Sequence, residues 1–141
     1  MTLEEKILEE YRTVAVVGAS SNPEHPSFIV LRYLSEHGYN VIPVNPNEHE
    51  ILGMTCYPNL SSIPEKVEVV DIFRRSEAVM PIVEEAIKIG AKAIWMQEGV
   101  INEEAAARAR EAGLLVVMDK CMRKEHLRLS QRTSCHADVA K

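Results

Sequence analysis

Short apolar runs recur along this chain at near-regular intervals, most of them separated by segments of helical character. "TVAVVGA" comes first, from Thr13 to Ala19, and "NVIPVNP", "VEVVDIF", "AKAIWMQEG" and "LLVVMD" follow in order. Continuous apolar runs of this length read as strands covered on both faces, because a half-exposed strand would alternate apolar and polar residues. Strands separated by helices imply a parallel sheet, since parallel neighbours need a long crossover between them. The expectation is an α/β fold: a Rossmann-like, mainly parallel five-stranded sheet in the order 3-2-1-4-5, with helices on both faces.

The helices carry their own punctuation. "TLEEKILEEY" pairs Thr2 with Glu5 as a capping box and sets Leu3, Ile7, Leu8 and Tyr11 on one face. In "PSFIVLRYLSEHG", Pro26 stands near the first turn and Gly38 follows the end. "SEAVMPIVEEAIKIG" offers Ser76 as cap and Gly90 as stop, and Pro81 predicts a separate turn before the true first turn. Asn102 caps "NEEAAARAREAG", and Glu103 and Glu104 in its first turn complement the helix dipole. Pro43 inside the second strand points to irregular or edge geometry. "KCMRKEHLRL" makes one more short helix, while "SQRTSCHADVAK" is polar and aperiodic. Residues 1–129 are therefore expected to form one domain and 130–141 a flexible tail.

Composition narrows the function classes. A chain of 141 residues at 46% apolar and 26% charged suits one globular domain, and 5% aromatics make its core aliphatic. A formal net charge of −5 argues against nucleic acid as the main partner. The three cysteines, Cys56, Cys121 and Cys135, match no metal spacing. No apolar run reaches the length of a membrane span, and the acidic start is no signal peptide. The expectation is a cytoplasmic protein with reduced thiols, a small-molecule ligand and no membrane partner. The apolar face of the first helix leaves a homo-oligomer open.

In open α/β sheets ligands bind beyond the carboxyl ends of the strands, so the segments after each strand carry the functional reading. After strand 1 comes "GASSNPEHPS". Gly18 permits a tight turn, and Ala19, Ser20 and Ser21 keep it small. Backbone N–H groups and hydroxyls here suit a phosphate, and a plain strand–helix connection fits the same residues. The turn lacks the later glycines of G-x-G-x-x-G, with Ser20 and Pro23 in their places. After strand 2 stand Asn45 and Pro46, where an NAD site usually carries Asp or Glu for the ribose 2′-hydroxyl. After strand 3 come Phe73, a flat apolar surface, and Arg74 and Arg75, two guanidiniums able to meet a phosphate or to pair with surface carboxylates, Arg75 above all. Strand 4 ends in Met96, Gln97 and Glu98: Trp95 and Met96 fit core positions, whereas Gln97 and Glu98 need polar partners. Strand 5 leads through Lys120 to Cys121.

Catalytic patterns are missing from the sequence. None of the five histidines, His25, His37, His49, His126 and His136, falls in a metal-binding pattern, and there is no G-x-S-x-G elbow. No nucleophile, base and orienter are legible together. No catalytic and no metal-binding residues are therefore assigned.

"VAVVGASSNPEHPSFIVLRYLSEHGYNVIPVNPN", "VEVVDIFRR" and "AIWMQEGVINEEAAARAREAGLLVVMDKCM", in that order, resemble the single-domain coenzyme A-binding proteins. These are similar to the CoA-binding domain of the succinyl-CoA synthetase alpha subunit. The resemblance runs from about residue 3 to residue 129. It implies a Rossmann-like domain that holds coenzyme A across the carboxyl edge of its sheet. Gly18, Ala19 and Ser20 would approach the pyrophosphate, with Ser27 assisting from the helix start. Asn45 and Pro46 would border the adenosine, Phe73 and Arg74 would flank the nucleotide, and Met96 and Gln97 would meet the pantetheine arm. The synthetase depends on a phosphorylated histidine in a second domain, and this sequence does not reach one. The resemblance therefore implies ligand binding without catalytic machinery: a carrier, buffer or sensor of CoA or acyl-CoA. Two alternatives stand beside it, an NAD(P)-binding oxidoreductase or redox sensor, and a CoA-linked thiol switch through Cys121.

Overall fold

The computed structural model describes the backbone of residues 1–140 and the side chains of residues 1–131. Helix α1 (Leu3–Glu10) opens on the expected capping box of Thr2 and Glu5 and leads into β1 (Thr13–Val17). Then follow α2 (Pro26–Glu36), β2 (Asn40–Val44) and a small hairpin of β3 (Glu50–Ile51) and β4 (Met54–Thr55). The rest alternates as β5 (Val69–Ile72), α3 (Val79–Lys88), β6 (Ala93–Met96), α4 (Glu103–Glu111), β7 (Leu115–Val117) and α5 (Met122–Ala140). The punctuation holds except at Ser76, which lies in the turn before α3 and does not cap it: the α3 cap is Ala78, without a side-chain hydrogen bond, and the Ser76 hydroxyl accepts from Ile101 N–H at 2.9 Å instead. Pro26 opens α2, Asn102 caps α4 through the Ala105 N–H, and a 3-10 turn at Ser76–Ala78 precedes α3. Pro81 then falls in the first turn of α3, where its missing N–H has no intrahelical bond to lose.

The fold is the Rossmann-like α/β sandwich expected, with five parallel strands and helices on both faces. Strand alternation divides the core in two. Ala15, Val17, Val70, Ile72, Ile94 and Met96 lie in the cluster that includes α3 and α4. Val14, Val16, Val69, Ala93 and Trp95 lie in the cluster that includes α1, α2 and the start of α5.

The strand order corrects the expectation. The sheet runs β2-β1-β5-β6-β7, which is 2-1-3-4-5 for the strands anticipated from sequence, in place of 3-2-1-4-5. The reason is the outer edge of β2. The Val44 carbonyl faces β1, where the Gly18 N–H meets it at 3.0 Å, so the neighbouring residue Pro43 faces outward. A paired strand there would need the N–H that proline lacks. A short strap covers that edge instead: Tyr57 N–H donates to the Pro43 carbonyl and Asn45 N–H to the Tyr57 carbonyl. The third strand is thereby sent to the far side of β1, and the switch in direction falls between β1 and β5.

Helix α5 takes up "KCMRKEHLRL" and continues to Ala140, so its backbone enters the segment expected as a tail. Cys135, His136 and the other side chains from 132 onward lie outside the described ones. Among the described residues, no helix is long and apolar enough to cross a membrane.

Candidate functional site at the switch point

The crevice opens where β1 and β5 part company. Gly18 sits there with φ of +87°, and a Cβ on it would run into the Phe73 carbonyl oxygen, with the Phe73 carbonyl carbon 3.0 Å away. The close approach that demands glycine is therefore one strand end against another. Asn45 fastens the same turn from the other side, its Nδ2 donating to the Ala19 carbonyl at 2.7 Å and its Oδ1 accepting from Asn47 N–H at 2.8 Å. The Gly18 and Ala19 N–H groups both go to Val44. The Ser20 and Ser21 N–H groups have no partner among the described residues, while the Ser20 hydroxyl accepts from Asn22 N–H.

Two cavities flank this turn. The smaller, about 210 Å³, is lined by Gly18, Asn45, Pro46, Leu60 and Ile82 among others. The larger, about 470 Å³, lies between the start of α2, the ends of β5 and β6, and the start of α5, with Phe73, Gln97, Val100, Cys121 and Arg123 on its walls. Arg74 lines both. It is exposed and has no ion pair among the described residues, whereas Arg75 pairs with Glu77 at 3.6 Å, as a surface arginine should.

The remaining site expectations fall in different places. Phe73 is half-buried on the larger cavity, and Gln97 reaches it while its Oε1 accepts from Met122 N–H at 3.2 Å. Gln97 thus ties the end of β6 to the start of α5, the partner its burial requires. Met96 is fully buried in the core on the α3 and α4 side and lines neither cavity, because alternation turns it away from its neighbour Gln97. Ala19 is buried, and Ser20 lines neither cavity. Ser27 is buried beneath His25, with its hydroxyl 2.8 Å from the His25 Nδ1, which also accepts the Ser27 N–H at 3.0 Å. A serine and histidine at this distance could be a nucleophile and its base. Here the serine is fully buried and the ring nitrogen is occupied as the α2 cap. Accepting at Nδ1 fixes the neutral ring's proton on Nε2.

Asp71, on β5, escaped the sequence reading. It is fully buried between Val16 and Trp95 in register, and neither carboxylate oxygen has a hydrogen-bond partner among the described residues. Burial pushes its pKa well above the ordinary carboxylate value. A carboxyl in the middle of "VEVVDIF" was the visible signal. Arg123 and Lys124 were also missed, although they lie just past the fifth strand end, where the same rule applies. Among the described residues, no group of three or more His, Cys, Asp or Glu is placed to hold a metal ion.

The profile of the CoA-binding domain family matches residues 12–127. The chain belongs to this family. One relative, the uncharacterised protein YneT of Bacillus subtilis, is 37% identical over 121 residues, covering 86% of this chain and 90% of that protein. The ADP-forming acetate–CoA ligase II of Archaeoglobus fulgidus is 30% identical over 112 residues, which are 77% of this chain but only 17% of the ligase. A hypothetical protein from Pyrococcus horikoshii superposes with a TM-score of 0.89 at 49% identity, over 92% of each chain. An acetyl-coenzyme A synthetase of Ca. Korarchaeum cryptofilum superposes at 0.71 with 30% identity, over 81% of this chain and 27% of the synthetase. Sequence similar to this chain therefore makes up most of one small protein and a small part of a large ligase.

Proposed function

We propose that the chain binds coenzyme A or an acyl-CoA across the β1/β5 crevice and acts in the cytoplasm as a carrier, buffer or sensor without catalytic machinery of its own. The adenosine occupies the smaller cavity, against Asn45 and Pro46. The pyrophosphate lies over the Gly18–Ser21 turn beside Arg74, and the pantetheine arm runs into the larger cavity past Phe73 and Gln97. One observation carries this reading: Arg74, a guanidinium with no ion pair among the described residues, lines both cavities at the switch point. A long ligand with its negative charge in the middle and less polar ends matches that layout. Family membership supports the same ligand. An NAD(P) site is disfavoured because Asn45 spends its amide on the turn and offers no carboxylate to a ribose. Arg74→Ala is expected to weaken CoA binding about tenfold or more, the usual cost of a lost charge-assisted contact to phosphate. Unchanged affinity in calorimetry would refute the placement.

A second reading rests on Cys121, a free thiol on the wall of the larger cavity. Its thiolate can attack a CoA disulfide, forming a protein–CoA disulfide and releasing the other half as a thiolate. Intact mass under non-reducing conditions tests this. The adduct should disappear with reductant and in Cys121→Ser, and its persistence in the variant would exclude Cys121.

A further inference from the structure

The cations around the larger cavity are not equivalent. Lys124 holds Glu98 at 3.0 Å, and Arg75 holds Glu77. Arg74 stands at the border with the smaller cavity. Arg123 remains: it lies in the first turn of α5, half-buried, and makes no ion pair among the described residues. Glu98 is the only carboxylate lining that cavity among the described residues, and Lys124 already neutralises it. Arg123 is thus a guanidinium partly withdrawn from water with no anion to answer it among the described residues, an arrangement that favours an incoming one. The same cavity is also lined by the apolar side chains Ile29, Val30, Phe73 and Val100.

We propose that Arg123 is a second anion point, so that the cavity selects acyl-CoA thioesters whose acyl chain ends in a carboxylate. This rests on the reading that coenzyme A lies with its thiol end in the larger cavity. The pyrophosphate is then answered by Arg74, and the pantetheine arm is uncharged. The apolar wall suits the methylenes of an acyl chain. The Arg123 guanidinium on the same cavity suits a carboxylate, which it can meet with two parallel hydrogen bonds. A neutral acyl group of the same length leaves Arg123 unanswered.

Calorimetry with length-matched pairs tests this: malonyl-CoA against propionyl-CoA, and glutaryl-CoA against valeryl-CoA, with the native chain and Arg123→Gln. The native chain should prefer the carboxylate member of at least one pair on the order of tenfold. Arg123→Gln should bring that ratio near one, and Arg123→Lys should restore part of it. Equal affinities within both pairs in the native chain overturn the proposal. So does a preference that survives Arg123→Gln. Dephospho-CoA separates the other anion a CoA ligand carries: if the variant loses the discrimination between CoA and dephospho-CoA while keeping the acyl ratio, Arg123 answers the ribose phosphate and the proposal fails. Absence of binding by CoA itself is a different result, which defeats the ligand reading beneath it.

Discussion

Gly18 is held by its own neighbours more than by any ligand. Its φ of +87° strains any other residue, and a Cβ meets the Phe73 carbonyl, which is backbone and cannot swing away. Gly18→Ala should cost at least about 1–3 kcal/mol of stability, read as a lower urea midpoint. A neutral substitution would mean that the β1 and β5 ends are not in contact. Asp71 makes a claim of another kind. Its folded pKa is raised, so above the ordinary carboxylate pKa of about 4 the folded chain keeps a proton that the unfolded chain releases. Stability from this group is full at lower pH and falls as pH rises towards the folded value, by up to about 1.4 kcal/mol per pH unit. Asp71→Asn should remove that slope when midpoints are compared from pH 4 to 8; an unaltered slope would place the missing proton elsewhere. The glycine was legible in the sequence, but the contact that requires it was not, because it joins residues far apart in the chain.

At the scale of elements, α5 is fastened to α2 by rings. The Tyr33 hydroxyl lies 2.7 Å from His126 Nδ1, and His37 stacks on Tyr33 with centroids 4.0 Å apart. Tyr39 meets His126 edge-on, and Arg12 lies over the Tyr39 ring. Burial lowers the His126 pKa first, and the nearby His37 and Arg12 lower it further. The stabilising neutral form is present above the ordinary histidine pKa of about 6.5 and is lost as pH falls through the lower folded value. The thermal midpoint should therefore drop between pH 7.5 and 5, and His126→Gln should drop less. An equal drop in both would mean that His126 does not govern this packing. Helix positions and most caps could be read from local sequence, and Asn102, Pro26 and Pro81 needed nothing else, whereas Ser76 went to the turn before α3 and left that helix without a side-chain cap. The length of α5 could not, since "SQRTSCHADVAK" has no apolar period. The hairpin of β3 and β4 was also overlooked, its strands being two residues each.

For the molecule as a whole, the sheet's composition was legible and its order was not. Pro43 already marked β2 as an edge strand, and following that mark through would have placed the third strand beside β1. The consequence is functional: the crevice moves to β1/β5 and brings Phe73 and Arg74 against the Gly18 turn. Strand ends picked out Asn45, Pro46, Phe73, Arg74 and Gln97, all of which line a cavity. The rule could not separate these from Met96, Ala19 and Ser27, because burial depends on which way a side chain faces at its strand end or helix start. Leu60 and Ile82 reach the smaller cavity from outside the strand ends altogether. The central claim is that this crevice is built for coenzyme A, and titration calorimetry of the native chain with CoA and with NAD tests it most directly. The account predicts CoA binding in the micromolar range or tighter and NAD binding at least about a hundredfold weaker; equal affinities, or no heat with CoA, would contradict it.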